Sequence, residues 1–271
     1  MPIRVPDNLP ALRALHAESV DIIPQKQAVR QDIRPLRLLL LNLMPKKRDT
    51  EIQFARLFGN TPLQVEMILM TTASYTPQNT EPGYLRRFYR QLDDVRDDYF
   101  DALIITGAPI ETLPFEDVKY WAELTEIMEW SREHCFRRLG ICWGAQALLW
   151  HFHKVQKHEL KAKLFGIFEH HLSDVSGRLM HGFTDQFPMP ASRYTMNRSE
   201  DLMAAGLNVL AEGGECGAGM VRDPETGDLF VFNHLEYDAT TIGDEYHRDL
   251  AAGLNTALPQ NYFPNDDPAL P

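Results

Sequence analysis

The sequence predicts an α/β fold, a doubly wound and mostly parallel sheet flanked by helices. Two observations carry the prediction. Short apolar runs of strand length alternate with stretches whose apolar residues recur at helical spacing. In addition, Gly140-Ile141-Cys142-Trp143-Gly144 stands where a strand pattern gives way to a helix pattern. Sites in open α/β sheets lie beyond the carboxyl ends of strands. A chain of 271 residues is long enough for one such domain with a sizeable core, spanning residues 1–271.

Taken in order, the first strand is read at Leu36–Leu43, a continuous apolar run suited to a strand covered on both faces. Thr50–Leu57 follows as a helix, and Leu63–Met70 as the second strand. Tyr84–Leu92 reads as a helix and Ala102–Thr106 as a strand ending in Thr106-Gly107-Ala108-Pro109. Asp117–His134 is the clearest helix, with Val118, Trp121, Leu124 and Met128 on one face. The strand Leu139–Cys142 leads into the helix Gly144–Phe152. Glu159–Asp223 is less regular and is expected to hold additional strands and loops. Leu229–Asn233 reads as the last strand and Glu245–Leu254 as the last helix.

Composition narrows the function. The residues are 44% hydrophobic and 24% charged, and the net charge is −11. That balance fits a globular enzyme of the cytoplasm and argues against partners such as nucleic acid or an anionic membrane. The N-terminus carries Arg, Asp and Pro where a signal peptide would need an apolar core. Cys135, Cys142 and Cys216 form no C-x-x-C pair, so neither a disulfide framework nor a zinc site is expected. His151-Phe152-His153 and Glu169-His170-His171 look metal-like but lack partners at ligand spacing. No metal and no bound cofactor are expected.

Gly140-x-Cys142-x-Gly144 is the thiol analogue of the G-x-S-x-G nucleophile elbow, in which flanking glycines permit a sharp strand-to-helix turn. The alternative is a buried cysteine in a tight turn. A nucleophile needs a base, and the base needs an acceptor that orients it. His234 and Glu236, leaving the strand Leu229–Asn233 at positions i and i+2, supply both.

Gly140-x-Cys142-x-Gly144-x-Gln146 with His234-x-Glu236 resembles the class I glutamine amidotransferase fold. Longer strings resemble the MetA family of homoserine O-acyltransferases, which share that fold, and they cover nearly the whole chain. They include Met1–Pro10, Ile33-Arg34-Pro35-Leu36, Leu41–Lys47, Thr50-Glu51, Thr106–Pro109, Glu169-His170-His171, Ser192-Arg193-Tyr194, Glu236-Tyr237-Asp238 and Asn261–Pro264. The resemblance implies a ping-pong transfer from acyl-CoA to the side-chain hydroxyl of an amino acid, for methionine or cysteine biosynthesis. Cys142 would form the acyl-thioester, His234 would be the base and Glu236 would orient it. The backbone N–H of Trp143 would serve the oxyanion. Lys163, Ser192, Glu245 and Arg248 match substrate-site positions. Arg248 could hold the α-carboxylate, and Glu245 could support Arg248 or take the α-ammonium; a surface ion pair is the alternative. Lys46 or Lys47 would assist CoA or the oxyanion.

Glu111 falls where the family's donor preference divides between glycine and glutamate, so acetyl-CoA is the expected co-substrate, with succinyl-CoA as the alternative. A glutamine-hydrolysing enzyme on the same fold is the further alternative. The usual Gly-His-Pro-Glu reads here Asn233-His234-Leu235-Glu236, and Thr195–Arg198 also departs from the homoserine enzymes. The acceptor is therefore expected to be homoserine or its shorter analogue serine. The resemblance also leads to an expected aromatic-rich tail beyond Asn265-Asp266-Asp267-Pro268, whereas this sequence stops at Pro271. A homodimer is the common expectation for oligomeric state.

Overall fold

The structure, a computed structural model, describes residues 3–18, 20, 22–28, 34–75, 79–173 and 178–269. Met1, Pro2, Ile33 and Pro271 lie outside the described residues. The chain divides into two compact units, Met1–Leu139 and Gly140–Pro271.

In the first unit the elements are β1 (Ile3–Val5), α1 (Ala11–Ala17), β2 (Ile22–Pro24), α2 (Gln25–Ala28), β3 (Leu36–Leu41), α3 (Lys47–Gly59) and β4 (Val65–Met70). They continue with α4 (Pro82–Phe88), β5 (Tyr89–Arg90), α5 (Leu92–Val95), β6 (Phe100–Ile105) and α6 (Trp121–His134). Strand order is β2-β1-β4-β3-β6, with β5 added beside β4. These strands pair in parallel, with Leu36 opposite Val65 and Leu41 opposite both Met70 and Ile105. Leu39, Leu40 and Leu41 are fully buried, as a strand covered on both faces requires. Helix α6 buries Leu124, Ile127, Met128 and Ser131. The expected helix Tyr84–Leu92 stops at Phe88, because Tyr89 and Arg90 pair with Leu69 and Met70. Two three-residue strands, β1 and β2, are too short to show a period of two.

Strand β7 (Cys135–Ile141) carries the chain into the second unit. There follow α7 (Trp143–Leu148), β8 (His158–Leu172), β9 (Gln186–Met196), α8 (Ser199–Ala204), β10 (Asn208–Gly213), β11 (Gly217–Arg222), β12 (Leu229–Val231) and α9 (Thr241–Ala251). The expected helix Gly144–Phe152 is regular only through Leu148 and then widens into a π turn at Leu149–His153. The irregular stretch Glu159–Asp223 holds four strands in the order β11-β10-β8-β9. They pair antiparallel, and β12 joins β11 in the same sense. Antiparallel neighbours need no helical crossover, so this half lacks the strand–helix alternation that made the first half legible.

Gly166 in β8 adopts φ 139°, and a Cβ there would lie 2.2 Å from the Gln260 carbonyl oxygen. Glycine thus lets Gln260 pair with Phe165 and Ile167 on either side, which fixes the segment that follows α9. Among the described residues, no helix is long and apolar enough to cross a membrane.

Candidate active site

Cys142 sits at the end of β7 with φ 50° and ψ −115°, a conformation that costs a non-glycine residue energy and that clusters at functional positions. Its environment holds it there. The Cys142 amide donates to the Val231 carbonyl at 2.7 Å, and its own carbonyl accepts from the Ala145 and Gln146 amides as α7 begins. Gly140 makes the turn possible, since a Cβ at that position would approach the Ala145 Cα to 2.5 Å. Trp143, the next residue, opens α7 and is fully buried.

His234 follows β12 closely, and its amide donates to the Pro190 carbonyl at 2.9 Å. Its Nδ1 lies 2.7 Å from Glu236 Oε1, and both side chains are buried. A proton on Nδ1, donated to the carboxylate, leaves Nε2 for the side-chain hydrogen bond to Cys142. Burial alone pulls the His234 pKa down. The Glu236 carboxylate and the Cys142 sulfur overcome it and hold the imidazole well above its ordinary value. Thiol, base and orienting carboxylate therefore stand in hydrogen-bonded sequence.

Lys163, Ser192, Glu245 and Arg248, all in this unit, belong to a polar group of their own. Ser192 Oγ donates to Glu245 Oε2 at 2.5 Å, and the Tyr237 hydroxyl donates to Glu245 Oε1 at 2.7 Å. Lys163 Nζ reaches Asp249 Oδ2 at 3.2 Å and Glu245 at 3.7 Å. Arg248 does not pair with Glu245; its guanidinium donates twice to Asp249 Oδ1, at 2.9 and 2.6 Å. Burial would raise the Asp249 pKa, but Arg248 and Lys163 hold it below the usual range. Asp249 was not singled out from sequence, because one aspartate on a predicted helix has no distinguishing signal.

A second cysteine–histidine contact lies in the same unit. Cys216 Sγ is 3.1 Å from His170 Nε2, and His170 Nδ1 is 2.8 Å from the Phe168 carbonyl. A carbonyl only accepts, so Nδ1 carries the proton and Nε2 is bare. Asn233 Nδ2 donates to that nitrogen at 2.8 Å. Burial pushes His170 down and Cys216 up, which leaves a neutral pair unsuited to nucleophilic work. Arg193 is also buried here, and its Nη2 donates to the Cys216 carbonyl at 2.6 Å. Burial lowers its pKa, while Cys142 and Cys216 act to raise it. Among the described residues, no cluster of three or more His, Cys, Asp or Glu could hold a metal ion.

The first unit contains the other sequence candidates. Lys46 is exposed and Lys47 is buried, which separates two residues that sequence left equivalent. Lys47 Nζ donates to the Asn42 carbonyl at 2.5 Å. Burial lowers its pKa to about 8, against the opposing effect of Glu51. Glu51 accepts from both Tyr84 and Tyr89 at 2.6 Å, and burial raises its pKa. Lys47 and Asn42 line a largely apolar cavity of about 270 Å³ together with Tyr75 and Ile110. Glu111, half-buried, occupies the turn that follows Ile110.

Comparison with known proteins places this geometry in a family. The homoserine O-succinyltransferase family model matches residues 2–271. A homoserine O-acetyltransferase of Synechococcus elongatus is 52% identical over 99% of this chain and 90% of its own length. One from Brevibacillus brevis is 49% identical over 99% of this chain and 88% of its own. A glutamine amidotransferase from Thermotoga maritima matches the fold with TM-score 0.56 at 11% identity, covering 82% of this chain and 84% of its own. Another, from Methylobacillus flagellatus, gives TM-score 0.51 at 12% identity, covering 89% of this chain and 82% of its own. The last two show a shared class I glutamine amidotransferase-like fold, and the sequence relatives show the chemistry class. The chain belongs to the MetA family of homoserine O-acyltransferases and is an O-acyltransferase.

Proposed function

We propose that the chain is an acetyl-CoA-dependent O-acetyltransferase working as one domain in the cytoplasm, with homoserine as acceptor for methionine biosynthesis. The observation that carries the reading is the Cys142–His234–Glu236 alignment on a strained elbow. His234 takes the Cys142 proton as the sulfur attacks the acetyl carbonyl of acetyl-CoA. The CoA sulfur leaves with that proton, and the acetyl group is held as a thioester. The acceptor hydroxyl then gives its proton to His234, its oxygen attacks the thioester, and Cys142 departs and is reprotonated. The Trp143 N–H is assigned to the oxyanion. Lys163, Ser192, Glu245 and Arg248 are assigned to the amino-acid acceptor, with Arg248 receiving the α-carboxylate. Lys47 rather than Lys46 is assigned to the acyl-CoA, on its burial in the cavity wall.

Glu111 is assigned to donor choice. A carboxylate about 4 Å from the free carboxylate of a succinyl group costs about 1 kcal/mol in water and about 4 kcal/mol at an effective dielectric of about 20. That is a few-fold to roughly thousand-fold preference for acetyl. The names of the curated relatives favour acetyl and homoserine. Serine is the second reading, favoured by Asn233, Leu235 and the Thr195–Arg198 stretch, since one methylene is worth only about 1–3 kcal/mol. The test is mass spectrometry after brief exposure to acetyl-CoA, followed by kinetics with both donors and both acceptors. An added acetyl on Cys142, absent in Cys142→Ala, is expected. Faster use of succinyl-CoA than of acetyl-CoA overturns the donor assignment, and a higher kcat/KM for serine replaces the acceptor.

A further inference from the structure

Tyr237 touches both halves of the proposed chemistry. Its ring lies flat against the His234 imidazole, with centroids 4.1 Å apart and planes 17° from parallel. Its hydroxyl donates to Glu245 Oε1 at 2.7 Å, while Ser192 donates to the other oxygen of the same carboxylate. Glu245 is thus held at both oxygens, and one of its two anchors is the side chain that also covers the base. The tyrosine cannot shift toward Glu245 without sliding across His234.

We propose that Tyr237 is a positioning residue for the second half-reaction, fixing the acceptor-binding carboxylate of Glu245 relative to the face of His234. This rests on the reading of Cys142 and His234 as the catalytic pair. Its chemical consequence is selective. Formation of the acyl-thioester needs His234 oriented toward Cys142, which Glu236 secures through Nδ1. Delivery of an amino-acid hydroxyl to that thioester needs the acceptor's charged groups placed relative to the same imidazole, and this placement depends on the Tyr237–Glu245 bond. Burial beside Glu245 and Glu236 raises the Tyr237 pKa, so the hydroxyl remains a donor throughout the working range.

Two substitutions separate the contributions. Tyr237→Phe keeps the stacked ring and deletes only the donor, whereas Tyr237→Leu deletes both. Each half-reaction is followed alone: acetyl transfer from acetyl-CoA to Cys142 by rapid-quench mass spectrometry, and decay of the isolated acetyl-enzyme with increasing homoserine. Tyr237→Phe is expected to weaken acceptor kcat/KM by about tenfold to a hundredfold, the effect of losing a hydrogen bond to a charged group, while the first half falls far less. Tyr237→Leu is expected to slow both halves. In a Glu245→Ala background, adding Tyr237→Phe should change acceptor kcat/KM by less than about threefold, because the group that accepts the Tyr237 hydrogen bond is already gone. Equal losses in both halves for Tyr237→Phe, or full additivity with Glu245→Ala, would overturn the proposal. Absence of a wild-type acetyl-enzyme would overturn the catalytic reading beneath it as well. A Tyr237→Phe protein that fails to fold leaves the decision to Glu245→Ala, which must reproduce the same acceptor-selective loss or the proposal falls.

Discussion

Substituting Gly140 with alanine should damage the elbow by a calculable route. An ideal Cβ at residue 140 would stand 2.5 Å from the Ala145 Cα, 2.6 Å from its amide nitrogen and 2.8 Å from the Gly144 carbonyl carbon. All three are backbone atoms of the first turn of α7, so no side-chain rotation relieves the overlap. Restoring an ordinary 3.4 Å contact requires the start of α7 to move by about 0.9 Å. Overpacking costs about 1–3 kcal/mol in well-packed interiors, and rigid backbone places this case near 3 kcal/mol. At roughly 2–4 °C per kcal/mol for a chain of this size class, the melting temperature should fall by roughly 6–12 °C. Because the displaced atoms adjoin Cys142, a misplacement near 1 Å should also slow acylation roughly a hundredfold. Calorimetry gives the first quantity, and rapid-quench detection of acetylated Cys142 gives the second. A Gly140→Ala protein that melts within about 2 °C of wild type and acylates at the wild-type rate would refute the reasoning.

Three other perturbations test separate parts of the structure. Glu236→Gln removes a carboxylate that raises the His234 pKa; since the acceptor step needs neutral imidazole, its acid limb should move to lower pH as its maximum falls by roughly two or more orders of magnitude, and an unmoved limb would count against the pairing. Lys47 is depressed from 10.5 to about 8, so the folded state holds fewer protons than the unfolded state between those values, and the destabilisation is present below pH 8 and fades as pH rises toward 10.5. Lys47→Met should therefore stabilise the fold at about pH 7 by up to about 3 kcal/mol, less the lost Asn42 hydrogen bond, with the gain in urea denaturation shrinking toward about pH 10; a pH-independent difference would contradict this origin. Asn233→Ala removes the donor to His170 Nε2 and should destabilise by about 1–2 kcal/mol; a neutral result by urea denaturation would mean that this bond contributes nothing net.

The alternation of strands and helices in residues 36–141 was readable because its central strands are largely apolar and buried and its long helices bury one face. Leu36–Leu41 and Trp121–His134 carry those patterns openly. The elbow was also readable, since glycines at 140 and 144 around a cysteine have few uses besides a sharp turn. The antiparallel strands β8 to β11 were not, because antiparallel neighbours such as Glu212 and Ala218 join without a helical crossover, so the strand–helix alternation is missing there.

Residue types at short spacing singled out the candidate nucleophile, its base and the orienting acid, and the His-x-Glu interval becomes a 2.7 Å contact. Tertiary structure alone decided that Lys47 is buried while Lys46 is exposed, that Arg248 pairs with Asp249, and that Tyr237 joins His234 to Glu245. The division has a physical origin. Backbone geometry constrains neighbours within a few residues, so local chemistry is written in local sequence. Burial, dielectric environment and the choice among nearby partners depend on segments dozens of residues away, as Lys163 beside Asp249 shows, and they take definite values only once the chain has packed.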